Sequence, residues 1–230
     1  MEQEKKYRHE LKYLIPRGEY LAMRQRLKAV MDADPHTGED GCYLVRSIYF
    51  DNSDDKVLRE KINGIPRREK FRIRYYNGDL AFITLEKKMK INDKCLKYDA
   101  RITEEELRKI LAGDIAFMKD HPDGLVKELF SKMRYQRLRP RVLVSYVREP
   151  YIYKAGNVRV TFDSNIRTTL WNREFLDTAP PCISATEAPG EMYLEVKYDA
   201  FLPDLIQHLI LTPGLRQQAF SKYGAARRFG

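Results

Sequence analysis

Apolar and charged residues alternate with a period of two along several stretches of this chain. From residue 7 to residue 15, Leu11, Tyr13 and Ile15 fall on one side while Arg8, Glu10 and Lys12 fall on the other. That is the period of a β-strand, in which residues i and i+2 share a face. Further strands are predicted over residues 42–50, 70–76, 80–88, 94–102, 141–153, 157–163 and 192–198. Asn77-Gly78-Asp79 and Ala155-Gly156 supply hairpin turns, so the neighbouring strands are expected to be antiparallel. Helical spacing takes over in residues 18–31, just after Pro16, which suits a helix start. Short helices are predicted over residues 54–61 and 123–133. Thr103 with Glu106 three residues on spells a capping box for a helix through Leu111. Residues 203–211 and 215–228 read as two closing helices around Thr212-Pro213-Gly214. Residues 32–40 and 178–190 read as loops. The pattern predicts one α+β domain over residues 1–230, with about eight mostly antiparallel strands and helices between them.

The charges sit inside the strands. Glu10-Leu11-Lys12, Glu86-Lys87-Lys88 and Glu195-Val196-Lys197 each place acid and base on one face. Arg72-Ile73-Arg74 does the same with two arginines, and the alternation runs on from Arg159 to Asp163. Any one such pair suits an ordinary solvated sheet face. Repeated on the first, middle and last strands, with little Thr, Ser or Gln mixed in, the pairs describe a sheet with one apolar and one charged face. If that sheet curls shut with the charges inward, it forms a basic tunnel holding a few carboxylates, which suits a polyanion and a metal ion.

Overall charge agrees with this. The chain has 42 Lys and Arg against 33 Asp and Glu, a net charge of +9, which favours an anionic partner. At 43% hydrophobic and 33% charged, it is globular rather than disordered. Cys42, Cys95 and Cys182 are far apart and odd in number, so neither a disulfide framework nor a zinc site is expected and a cytoplasmic location is. No apolar run approaches the ~18 residues of a membrane span.

Arginine and lysine neutralise phosphate oxygens, arginine in bidentate geometry. A hard divalent ion needs carboxylate oxygens and shares its other positions with water and phosphate. Neither GxxxxGK[ST] nor GxGxxG occurs, so phosphate binding has to come from side chains. His9, His36, His121 and His208 show no metal spacing, GxSxG is absent, and the lone Trp171 reads as packing cover. Nucleic-acid binding is the rival reading, with Tyr75, Tyr76, Tyr146 and Tyr151 as stacking faces. The interspersed glutamates would repel a nucleic-acid backbone, so no nucleic-acid partner is expected.

An ordered series of short motifs resembles the VTC domain, the polyphosphate polymerase domain of the vacuolar transporter chaperone complex and a member of the triphosphate tunnel metalloenzyme (CYTH-like) superfamily. The series is Arg8-His9-Glu10-Leu11-Lys12-Tyr13, Ser47-Ile48-Tyr49-Phe50-Asp51, Phe71-Arg72-Ile73-Arg74, Glu86-x-Lys88, Lys97, Tyr146-x-Arg148, Arg159-x-Thr161-x-Asp163, Tyr193-Leu194-Glu195-Val196-Lys197 and Phe220-Ser221-Lys222. The resemblance implies a closed eight-stranded antiparallel barrel with helices packed outside. It implies a polymerase that uses Mn²⁺ or Mg²⁺ to move the γ-phosphate of ATP onto polyphosphate. A tunnel triphosphatase, a polyphosphatase or a non-catalytic polyphosphate-binding module could use the same cage. Position by position, the resemblance casts Arg72, Arg74, Lys88, Arg148 and Lys197 in the transfer. It casts Lys12, Lys97, Arg159, Ser221 and Lys222 in holding substrate, and Glu195 with Glu10 in holding the metal. Two departures stand out: Arg8 replaces the first acid of the superfamily's Glu-x-Glu-x-Lys, and Ala219 precedes Phe220 where a lysine is expected. The chain reads as a stand-alone bacterial version, with association to a membrane-protein partner possible.

Overall fold

The computed structural model describes residues 8–92, 94–170, 175–177, 179–188, 190–212 and 214–228. Trp171, and the Tyr7 and Pro213 of two predicted elements, lie outside them. The strands are β1 (His9–Ile15), β2 (Asp32–Ala33), β3 (Tyr43–Asp51), β4 (Arg67–Tyr76), β5 (Asp79–Ile91), β6 (Lys94–Ile102), β7 (Arg139–Tyr153), β8 (Val158–Leu170), β9 (Ile183–Ser184) and β10 (Met192–Tyr198). The α-helices are α1 (Arg17–Lys28), α2 (Lys56–Ile62), α3 (Glu104–Ala112), α4 (Gly124–Tyr135), α5 (Asp204–Ile210) and α6 (Lys222–Arg228). All eight expected strands form, and the class is α+β with a large antiparallel sheet. Its hydrogen-bonded order is β1-β10-β8-β7-β3-β4-β5-β6, with β2 on β7 and β9 on β8.

One expectation is met only in its coarser form, and another needs correction. Hydrogen bonds do not close the sheet into a barrel: among the described residues its order ends at β1 and β6. The free edge of β1 is instead taken by an extended segment, through a bridge from Tyr13 to Gln217 and the Gln218 N–H donating to the Lys12 carbonyl. Covering an edge in this way satisfies its backbone groups. The same segment accounts for the second difference. The closing helix begins at Lys222 rather than at Leu215, because the backbone before it is engaged with β1.

Chain contacts group the residues into two compact units. One comprises Met1–Leu44, Tyr146–Ile166 and Thr186–Ser221; the other comprises Val45–Ser145, Arg167–Ala185 and Lys222–Gly230. In the first, Tyr13, Ile15, Val160, Phe162, Leu194 and Val196 of the sheet pack with Met23 and Leu27 of α1 and Ile206 and Ile210 of α5. In the second, Ile48, Phe71, Ile73, Leu85 and Ala100 pack with Leu107 and Ile110 of α3 and Val126, Leu129 and Met133 of α4. Each core therefore lies on the apolar side of the alternating strands, which leaves the charged side for chemistry.

Local signals set the turns. Asn77 and Gly78 both have positive φ, 52° and 75°, and close the β4–β5 hairpin. Gly156 turns β7 into β8 at φ 71°, and a Cβ there would meet the Phe201 carbonyl at 2.5 Å. Thr103 and Glu106 form the expected capping box, each side chain bonding the other's backbone N–H at 3.2 and 2.7 Å.

Candidate functional site

In the second unit, strand register assembles a cationic face. Ser47, Arg74, Thr84 and Arg101 stand side by side across β3, β4, β5 and β6. Tyr49, Arg72, Glu86 and Asp99 form the next row across the same strands. Lys70, Lys88 and Lys97 form a third across β4, β5 and β6. Directly paired residues and residues two apart share a face, so all three rows lie on one side. That side gathers six cations against two carboxylates.

Glu86 is the internal counter-ion. Arg72 donates to it from Nε at 2.6 Å and reaches it again from Nη2 at 2.5 Å. Lys97 lies 3.1 Å and Arg74 3.7 Å away. Burial alone would raise the Glu86 pKa, but Arg72, Arg74 and Lys97 outweigh it and hold the carboxyl well below the usual range. Arg74 also donates to the Ser47 hydroxyl at 3.2 Å, and Arg72 to the Tyr49 hydroxyl at 3.1 Å. Burial would raise the Tyr49 pKa as well, yet Arg72, Lys70 and Arg74 bring this phenol down to about 7.

In the first unit the charges balance. Glu10, Lys197 and Arg159 stand side by side across β1, β10 and β8, followed by Lys12, Glu195 and Thr161. Two acids and two bases thus form a checkerboard with an ion pair on every edge. Lys12 reaches Glu10 at 3.4 Å and Glu195 at 3.5 Å; Lys197 reaches Glu10 at 3.7 Å and Glu195 at 3.1 Å. Arg148 adds a bidentate pair to Asp163, at 2.7 and 2.8 Å, and a contact to Glu195 at 3.3 Å. Burial would raise the Glu195 pKa, but Lys197, the hydrogen bond with Glu10, Lys12 and Arg148 hold it well below the usual range. Burial would lower that of Arg148, but Asp163 holds the guanidinium charged.

The remaining candidates have other surroundings. Arg159 donates to Asp34 at 2.6 Å and to the Tyr43 hydroxyl at 2.8 Å. Lys12 also donates to the Phe220 carbonyl at 3.3 Å, and the Phe220 ring stacks on Tyr193 at 3.6 Å. Ser221 directly precedes α6 and Lys222 is its first residue. Tyr75, Tyr146 and Tyr151 are buried, so they present no ring face to a nucleic-acid base.

Tyr49 and Asp163 stand in the motifs quoted from the sequence but received no role there, and Lys70 served only as a strand boundary. Ser47, Tyr49 and Asp51 do alternate onto the charged face, but an aromatic residue in a strand reads as packing. Asp163 finds Arg148 only because the β7–β8 hairpin brings them together.

Glu10 and Glu195 each lie within 3.7 Å of Lys12 and Lys197, and carboxylate oxygens are the donors a hard divalent ion takes. No group of three or more His, Cys, Asp or Glu that could hold a metal occurs among the described residues. Likewise among the described residues, no helix is long and apolar enough to cross a membrane.

Comparison with known proteins gives one family. The model of the VTC domain matches residues 7–229. No curated protein matches. Among solved structures, a candidate adenylate cyclase from Bacillus halodurans superposes with a TM-score of 0.51 at 15% identity, covering 85% of this chain and 82% of that one. A conserved hypothetical protein from Pyrococcus furiosus reaches 0.44 at 12% identity, over 88% and 85% of the two chains. The first of these likenesses shows a shared fold.

Proposed function

Because this chain belongs to the VTC domain family, matched over residues 7–229, we propose that it is a polyphosphate polymerase, a phosphotransferase that moves the γ-phosphate of ATP onto a growing polyphosphate chain. The observation that carries this reading is the face on which Lys70, Arg72, Arg74, Lys88, Lys97 and Arg101 surround Glu86 and Asp99. Such an excess of cations, partly removed from water, calls for a multiply charged anion. An incoming phosphate takes over the guanidinium N–H groups that Glu86 now accepts, exchanging one charge-assisted hydrogen bond for another.

Phosphoryl transfer asks mainly for positioning and for charge stabilisation on the equatorial oxygens. Arg72 and Arg74 supply rigid donors at the deepest part of this face, and Lys70, Lys88 and Lys97 supply a row of point charges along it. In the reading, Glu10 and Glu195 hold Mn²⁺ or Mg²⁺, which when bound neutralises phosphate charge. Lys12 and Lys197, each paired to both carboxylates, would balance their charge when the ion is not bound. Arg148 stays with Asp163 and keeps Glu195 oriented. No protein nucleophile is needed, since a terminal phosphate of the chain attacks. The closed tunnel implied by the family resemblance and a membrane-protein partner belong to the same reading.

The test is purified protein with ATP and Mn²⁺, followed for chain length on a gel and for free phosphate in solution. Long polyphosphate and ADP, after a lag that short primers shorten, support the polymerase. ADP and orthophosphate alone, at every metal and primer condition, would identify a hydrolase instead.

A further inference from the structure

Tyr49 lies in the middle row of the cationic face, paired in register with Arg72. It is 2% exposed. Its hydroxyl oxygen accepts from Arg72 Nη1 at 3.1 Å, and the Lys70 ammonium lies 5.4 Å from its ring centre. Every charged group that meets it from β4, namely Lys70, Arg72 and Arg74, is a cation. From β5, Glu86 is occupied by Arg72. On its own strand, the Asp51 carboxylate already accepts from Tyr223 of α6 at 2.5 Å and from the backbone N–H groups of Val57 and Leu58. The Tyr223 ring packs 5.4 Å from that of Tyr49. The phenol therefore has a guanidinium donating to its oxygen and, among the described residues, no acceptor for its own proton. A buried hydroxyl in that position is unfavourable. It is relieved either by losing the proton among the cations or by giving it to an anion that arrives there.

We propose that Tyr49 is a phosphate-binding residue that exchanges roles: its oxygen partners Arg72 in the ligand-free protein, and its O–H donates to a phosphate oxygen when an oligophosphate binds. This rests on the reading that the face binds phosphate. The balance is simple: the phenolate takes one proton from solvent, no covalent bond to phosphorus forms, and Arg72 transfers its Nη1 donor from Tyr49 to the ligand. Tyr49 thereby acts as a built-in substitute anion that leaves when the true one comes.

The linkage has a definite sign. Bound phosphate neutralises the cations that depress Tyr49, so its pKa is higher in the complex than in the free protein, where it is about 7. Between those values binding takes up a proton and weakens as pH rises, by up to about tenfold per pH unit. The ligand's own deprotonation acts the other way, so the comparison is with Tyr49→Phe.

The experiment titrates tripolyphosphate into wild type and Tyr49→Phe, about one pH unit above the Tyr49 value. It uses calorimetry in buffers of different ionisation heat, alongside tyrosinate absorbance. Other buried tyrosines, such as Tyr13, Tyr75 and Tyr223, are pushed upward by burial and stay silent there. The expected result is proton uptake and loss of tyrosinate absorbance in wild type, with neither in Tyr49→Phe. The wild-type to variant affinity ratio should fall as pH rises. Should the variant fail to fold, the wild-type spectrum with and without tripolyphosphate decides alone. Tripolyphosphate binding with no change in tyrosinate absorbance overturns the role of Tyr49 and leaves the phosphate reading standing. No binding by wild type overturns both.

Discussion

The charged faces of the two units are built from the same alternation, yet they solve opposite problems. In the first unit, Glu10, Lys12, Glu195 and Lys197 neutralise one another edge by edge, and Arg148 is matched to Asp163. In the second, a single buried carboxylate, Glu86, is shared by Arg72, Arg74 and Lys97. A balanced checkerboard is stable without a ligand, its largely buried carboxylates each matched by two lysines. An under-neutralised cluster holds repulsion that only an added anion relieves. On the proposed reading the two faces have distinct duties: the first would take a cation in place of lysine, the second an anion in place of glutamate.

The sharpest way to break this comparison is at Arg72. Arg72→Gln removes the donor that Glu86, Tyr49 and the incoming phosphate all use. Polyphosphate synthesis should fall by about 10²–10³ or more, the scale for losing a donor aimed at developing charge. Arg72→Lys keeps charge but not the fork, and should recover only part of the rate. Full activity in Arg72→Gln, measured on folded protein, would remove the second face from the reaction.

Glu195→Gln probes the first face. Turnover at limiting Mn²⁺ should drop by about one to two orders of magnitude, while tripolyphosphate still binds through the arginine and lysine rows. The stability cost has a counterpart at Asp163: Asp163→Ala leaves buried Arg148 without its bidentate partner and should cost about 3–5 kcal/mol. Unchanged turnover in Glu195→Gln at low metal would sink the metal assignment, and a near-neutral Asp163→Ala in denaturant titration would show that Arg148 finds other partners.

Much of this was legible in the chain. The alternation found each main strand, with β6 and β10 placed to the residue, and it separated Glu10, Lys12, Glu86 and Glu195 from the packing side. It could not tell which acid neutralises which base, because register is a property of paired strands. Glu86 is thus one of three Glu-x-Lys acids in the predicted strands, and only the β4–β5 pairing sets it opposite Arg72. The predicted helix from Leu215 failed for a related reason: the segment has helical spacing, but the open edge of β1 offered backbone partners that local preference does not register. The strand that starts at Val158 runs on to Leu170 rather than ending at Asp163, because Thr168 donates to the Leu143 carbonyl and Arg167 and Thr168 pair with β9.

Glu86→Gln should act in the direction opposite to Glu195→Gln. Removing the competing carboxylate frees Arg72, Arg74 and Lys97, so tripolyphosphate affinity should rise several-fold while the ligand-free protein loses stability. The thermal shift produced by tripolyphosphate should therefore be larger in the variant than in wild type. A weaker affinity in Glu86→Gln would mean that this carboxylate orients the arginines for phosphate rather than competing with it.

The smallest expected effect is on the acid side of the stability curve. Glu86 is depressed in the folded state, despite burial, by Arg72, Arg74 and Lys97. A carboxyl lowered by folding contributes stability that is fully present above its unfolded pKa, here near the ordinary 4.5. That contribution is lost as pH falls below this value and through the folded one, at no more than about 1.4 kcal/mol per pH unit for one proton. Denaturant titrations of wild type from neutrality downward should therefore stay flat at Glu86's expense until about pH 4.5 and then decline. Glu86→Gln should start lower and decline less steeply, since its amide does not titrate. Tripolyphosphate should shrink the difference between the two, because bound phosphate takes over the arginines and removes the reason for Glu86 to stay ionised. Parallel acid limbs in the two proteins would show that the cluster is looser in solution than the 2.5–3.1 Å contacts to Arg72 and Lys97 require. The contrast between an under-neutralised face and a balanced one would then rest on charge count alone.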